Sequence, residues 1–93
     1  MSESLIRGVA RVIERFDAGE LDVGGLQDRF ESALDALDHT YPDIRHALEQ
    51  AVPDLEEIRF TVSENDHRPT ASRRISAVKS AVGRVLEASD GRT

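Results

Sequence analysis

The chain has 93 residues, a formal net charge of −6 and no cysteine. A chain of this length is expected to form one small domain over residues 1–93, and without cysteine it has no disulfide and no thiolate metal ligand. No run approaches the ~18 consecutive apolar residues of a membrane span, and no signal-peptide pattern is present, so we expect a cytoplasmic protein with no membrane partner.

The first segment is predicted to be a helix over residues 3–18. Five apolar residues recur at spacings that follow one helical face: Leu5, Val9, Val12, Ile13 and Phe16. Gly19 comes shortly after the last of them, at the position where a left-handed residue commonly ends a helix. We expect a turn there, and a second helix that begins near Asp22, because a carboxylate suits the N-cap position.

A heptad of apolar residues then continues from residue 23 to residue 62. We call its twelve members the seam: Val23, Gln27, Phe30, Leu34, Leu37, Tyr41, Ile44, Leu48, Ala51, Leu55, Ile58 and Val62. Gln27 is its one polar member. An unbroken helix of this length would span roughly 60 Å, whereas a domain of this size has a radius of gyration near ~12 Å. The seam is therefore predicted to be the inner face of a folded-back pair of helices.

Two prolines divide this region. Pro42 suits the first position of a helix, where a missing N–H costs nothing, so we predict helices over 22–38 and 42–62 with a break at 39–41. Pro53 lies inside the later helix. The phase of the seam does not change there, and this predicts a kink and not a turn.

The last helix is predicted over residues 69–88, followed by a disordered tail at about 89–93. Its apolar stripe consists of Ala71, Ile75, Val78, Val82, Val85 and Leu86. The predicted fold is thus all-α, an antiparallel four-helix bundle with short connections.

The charges are divided unevenly along the chain. Residues 17–66 carry a net charge of −11, whereas residues 67–93 carry +4. An acidic body disfavours nucleic acid as a partner, because phosphate contacts need clustered cations. It favours a basic protein partner. The basic last helix is also consistent with simple pairing to acidic neighbours inside the fold.

Few residues could carry chemistry. His39, Asp43 and His46 have spacings that suit a metal on one helical face. Pro42 breaks that helix, however, so we expect neither a metal nor a cofactor. Residues 54–57 include three acids that could serve in general acid–base catalysis. They lie in the first turn after Pro53, however, where acidic side chains interact favourably with the helix dipole. No nucleophile elbow or glycine-rich phosphate loop is present, so we predict that the protein is not an enzyme.

The run from Ile13 to Leu21, Ile-Glu-Arg-Phe-Asp-Ala-Gly-Glu-Leu, followed by Leu26 and Phe30, resembles the opening of small bacterial immunity proteins of the colicin-immunity type. In that family a first helix ends in a Gly-acid-apolar turn and the next carries regularly spaced Phe. Its members are small, acidic and helical, and they neutralise a cognate toxin, often through a negative surface. The resemblance covers residues 13–30 and implies a toxin-neutralising function. The chain after Pro42 departs from the family's pattern, and no binding residue is carried over.

Partner binding is expected on the acidic outer face of the second and third helices. The candidate residues are six acids and one aromatic: Asp28, Glu31, Asp35, Asp38, Asp43, Glu49 and Phe60. Phe60 lies off the seam, so either its helix packs on two sides or Phe60 is exposed as an interface anchor. Two other functions stay open. One is an oligomerising module in which the seam pairs with a second copy, as in a homodimer, and the other is a DNA mimic whose carboxylates imitate phosphates.

Overall fold

The computed structural model describes residues 2–37 and 40–90, and every regular element in them is a helix. Five α-helices are separated by short connections, and a 3-10 turn at Glu64–Asp66 precedes the fourth of them. They are α1 (Ser2–Asp17), α2 (Val23–Ala36), α3 (Pro42–Thr61), α4 (His67–Arg74) and α5 (Ser76–Asp90). The prediction of an all-α fold is confirmed.

The turn between α1 and α2 follows its sequence signals. Gly19 has φ +84°, the left-handed conformation expected of a C-terminal glycine. The Glu20 N–H donates to the Arg15 carbonyl at 2.8 Å and the Gly19 N–H donates to the Phe16 carbonyl at 3.0 Å, which is a Schellman arrangement. Asp22 then caps α2, because its Oδ1 accepts from the Gly25 N–H at 2.7 Å.

The break before Pro42 is also confirmed. α2 ends at Ala36, Leu37 is extended, and Pro42 is the first residue of α3. The Arg45 guanidinium donates to the Leu37 carbonyl at 2.9 Å and so ties the start of α3 to the end of α2. α3 continues as one helix through Pro53, while the kink expected there stays a prediction. Residues 38 and 39 lie outside the described part of the chain.

The last predicted helix, 69–88, is divided in two, so the described residues contain five α-helices where four were predicted. Helix begins earlier, at His67, and is interrupted at Ile75, which has φ −94° and ψ 7°. The side chain of Ile75 is fully buried, and its stripe of apolar neighbours keeps its spacing across the interruption, so the sequence pattern gives no sign of it. α5 continues to Asp90, two residues into the segment predicted as disordered; residues 91–93 lie outside the described part.

The seam forms the interior of the molecule. Nine of its twelve residues are buried, and the other three are half-buried: Leu34, Tyr41 and Val62. α2 packs along α3, α1 packs on α2 and α5, and α3 also packs on α4 and α5. The radius of gyration is 13.0 Å. A folded-back helix pair is therefore confirmed, and pairing of the seam with a second copy would require this core to open.

α1 uses a slightly different face from the predicted one. Ile6 is fully buried although the predicted stripe omitted it, and Val9, Ile13 and Phe16 are buried as expected. Leu5 and Val12 are only half-buried. The helix is therefore rotated toward Ile6, and part of its apolar surface remains open to solvent.

Candidate interaction surface

Phe60 is the only large hydrophobic side chain that is exposed in residues 2–37 and 40–90. It lies in the last turn of α3 and is 76% exposed. Of the two alternatives for Phe60, packing of its helix on two sides or exposure of the ring, the structure shows exposure. Single apolar residues are common on protein surfaces, but an exposed phenylalanine offers a partner a large contact area.

A chain of polar contacts holds the residue next to Phe60. Arg59 Nη1 donates to Gln27 Oε1 at 3.0 Å, and Gln27 Nε2 donates to Glu31 Oε1 at 3.1 Å. Gln27 is 5% exposed, so the polar exception in the seam is a buried amide with both ends bonded. The Arg59 guanidinium carbon lies 5.8 Å from the centre of the Phe60 ring, within cation–π range. α2 thereby restrains the end of α3 that carries Phe60.

The predicted acids on α2 form one exposed stripe. Asp28, Glu31 and Asp35 are spaced by three and four residues, which places them on the same helical face. Asp28 and Asp35 make no ion pair within the described part of the chain, and Glu31 bonds Gln27. Asp38, the fourth predicted acid of this run, lies outside the described residues.

On α3 the structure brings together only part of the predicted set. Glu49 and Phe60 are eleven residues apart, about three turns and roughly 16 Å along the axis, and Glu56 lies between them on the same exposed stripe. Asp43 is exposed too, but helical geometry places it about 120° around the axis from this stripe. Glu49 is 3.9 Å from Arg45, a loose surface pair.

We define the Phe60 face as Phe60, Glu56 and Glu49 on α3 with Glu31 on α2. Arg59, which is exposed beside the Phe60 ring, and the buried Gln27 adjoin this face, and neither was among the predicted site residues. The heptad marked Gln27 as its polar exception, but nothing in the local sequence links it to Arg59, which is 32 residues away. Helical spacing alone could have identified Glu56 as part of this face, because it precedes Phe60 by one helical turn.

A second arginine, Arg68, joins distant parts of the chain. Its guanidinium carbon lies 4.5 Å from the centre of the Phe16 ring. Its two terminal nitrogens donate to the carbonyl of Phe16 and, at 3.0 Å, to the carbonyl of Leu21. These contacts fix the turn between α1 and α2 against the start of α4. They are structural contacts, and no sequence pattern predicts them, since the partners are 47 and 52 residues away.

Within residues 2–37 and 40–90, no three His, Asp or Glu side chains are grouped so that they could hold a metal ion. His39, part of the metal hypothesis, is outside those residues. In the described part of the chain no helix is both long enough and apolar enough to cross a membrane.

Comparison of the chain with protein-family models, with curated proteins and with solved structures found no match.

Proposed function

We propose that the chain is a non-enzymatic protein–protein interaction module and that the Phe60 face is its docking surface. The observation that carries the proposal is the exposed Phe60 ring at the end of an acidic stripe. Burying a phenylalanine side chain contributes about 1.5–3 kcal/mol, which is the contribution expected of an interface anchor. Because α2 restrains Arg59 beside the ring, docking needs little reordering of this part of the surface.

The chemistry of the face defines the partner. An apolar pocket is needed for the ring, and cationic groups at its rim are needed opposite Glu49 and Glu56. Such acids at the rim of an interface increase the rate of association and select against acidic partners more than they add affinity. We therefore propose that the partner is a basic protein. In this proposal the chain is an antiparallel bundle in which α4 and α5 together act as the fourth helix, and it binds its partner in the cytoplasm of a bacterial cell.

The resemblance to colicin-immunity proteins implies a more specific class of partner, a toxin. If the partner is a toxin, we expect a gene for a basic toxin-like protein next to the gene for this chain, and co-expression of the two should protect the cell. Protection that survives Phe60→Ser would show that neutralisation, if present, does not use the Phe60 face.

The proposal can be tested by capture from a lysate of the source cells on the immobilised full-length protein. Phe60→Ser should weaken binding of the captured protein by about 30-fold or more, the effect of losing an anchor worth about 2 kcal/mol. The matched control is Ala77→Ser, at an exposed position on α5, and it should bind as the wild type does.

Salt provides a second arm of the same experiment. Glu49→Gln with Glu56→Gln should weaken binding at low ionic strength, and the difference from wild type should shrink when the salt concentration is raised. Equal capture by wild type and Phe60→Ser would contradict the proposal, as would binding that ignores both the acids and the salt.

A further inference from the structure

An apolar groove of about 520 Å³ lies open between α1 and α2. Its floor includes the half-buried Leu5 and Val12 of α1 and the ring of Phe30 of α2. Gly8 lies midway along it, and a β-carbon added there would meet no atom within 4 Å. The groove therefore has free space beside Gly8, where α1 carries no side chain, and its volume is within the range of about 300–1,000 Å³ typical of binding pockets.

The rim of the groove has the opposite charge to the molecule as a whole. Arg11, Arg15 and Arg29 line it, in a chain whose net charge is −6. Arg15 lies 3.6 Å from Glu20, whereas Arg11 and Arg29 are exposed and make no ion pair within the described residues. An occupant of this groove should therefore be apolar at its centre and acidic at its edge.

The Phe60 face combines an apolar ring with the acids Glu56 and Glu49 on one side of it, and it lies on another side of the same molecule. On α2, Arg29 faces the groove and Gln27 faces Arg59, and two residues along a helix correspond to about 200° around its axis. The two surfaces are therefore accessible together. A symmetric pairing of two grooves is disfavoured, because it would bring the arginines of both copies against each other.

We propose that the groove of one copy receives the Phe60 face of a second copy. This inference rests on the proposed function, since it uses the same face, and it names a second copy of this chain as a partner. The Phe60 ring occupies the space above Gly8, while Glu49 and Glu56 lie opposite Arg11 and Arg29. The contact is head-to-tail, so copies add in one direction until a ring closes or the chain of copies ends.

Sedimentation velocity on the full-length protein tests this inference. The contact is small, so wild type should be monomeric near about 10 μM and associate as the concentration approaches about 1 mM. Gly8→Leu, which fills the groove, should remain monomeric over that range. Gly83→Leu is the matched control, because Gly83 is also a helical glycine whose added β-carbon meets no atom within 4 Å, and it should associate as wild type does.

A charge variant provides a second arm that leaves the shape of the groove intact. Arg11→Glu with Arg29→Glu should abolish self-association at low salt, and Arg84→Glu, at an exposed arginine on α5, should leave it unchanged. Circular dichroism of each variant reports whether the helices have formed, so a folded monomer is distinguished from an unfolded chain.

Mixing two variants gives the decisive result. Gly8→Leu keeps an intact Phe60 face and Phe60→Ser keeps an intact groove, so each alone should be monomeric and an equimolar mixture should form a dimer and nothing larger. Wild type that is monomeric at 1 mM, association in Gly8→Leu equal to that of wild type, or a mixture that stays monomeric would each overturn the inference. Capture of a different protein that is lost in Phe60→Ser would still support the proposed function in all three cases.

Discussion

At the scale of single residues, two arginines join parts of the chain that are distant in sequence. Arg59 reaches across to Gln27 on α2, and Arg68 bonds carbonyls at the turn between α1 and α2. In both cases a planar guanidinium lies over an aromatic ring and donates to oxygens from another part of the chain. These contacts connect elements that are far apart in sequence.

Arg68→Met tests the structural role of the second arginine. Methionine keeps much of the packing on Phe16 but cannot donate to the two carbonyls, so we expect the free energy of unfolding to fall by about 1–3 kcal/mol. Arg73→Met, at an exposed arginine on α4, should change it by less than about 0.5 kcal/mol. Urea denaturation measures both, and equal effects would show that the carbonyl contacts contribute nothing.

The residue scale also marks the limit of what the sequence could predict. The heptad identified Gln27 as a polar exception, and helical spacing placed Phe60 off the seam. Neither pattern could show that the amide is bonded to Arg59, or decide whether the phenylalanine is exposed. Those outcomes depend on how α2 and α3 are aligned against each other, which is a property of the assembled core.

At the scale of elements, the helix ends near residues 17, 23 and 42 follow local signals. Gly19 supplies the left-handed residue, Asp22 supplies the cap, and Pro42 supplies the first residue of α3. The interruption at Ile75 has no such signal, because a single residue outside the α-region leaves the apolar spacing intact. Local chemistry therefore predicted these helix ends, whereas the division between α4 and α5 lies at a buried residue that no local signal marks.

Glycine substitutions separate turn positions from helix positions. Gly83→Ala should raise the free energy of unfolding by about 0.5–1 kcal/mol, because alanine loses less conformational freedom in a helix and finds open space there. Gly19→Ala should lower it by about 1–2 kcal/mol, since φ is +84°. Thermal denaturation followed by circular dichroism measures both shifts. The same sign for the two variants would contradict the assignment of Gly19 as the turn residue.

At the scale of the whole molecule, one chain buries its own seam. The ring of contacts among α1, α2, α3 and α5 encloses these residues, so the apolar surface that could have paired with a second copy is buried within one chain. The molecule therefore presents its outer surfaces, and not the seam, to any partner. Those surfaces are an acidic stripe with an exposed phenylalanine and, on the other side of α2, an apolar groove with a basic rim.

Leu48→Ala tests the assignment of the seam as the core. Leu48 is fully buried at the middle of α3, and truncating a buried leucine costs about 2–5 kcal/mol. Because a domain of this kind has a total stability of only about 5–10 kcal/mol, the melting temperature should fall sharply. Gln50→Ala, two residues along on the exposed side of α3, is the control. Equal melting temperatures for the two variants would refute the assignment.

Site-specific photo-crosslinking in the source cells tests most directly whether the Phe60 face docks a protein. Phe60 is replaced by the photoreactive analogue p-benzoylphenylalanine, and the same group at the exposed Arg84 of α5 is the control. Irradiation should link position 60 to a protein, either a basic partner or a second copy of the chain, and mass spectrometry of the adduct identifies which. Absence of any adduct at position 60, or the same adducts from both positions, would contradict docking at the Phe60 face.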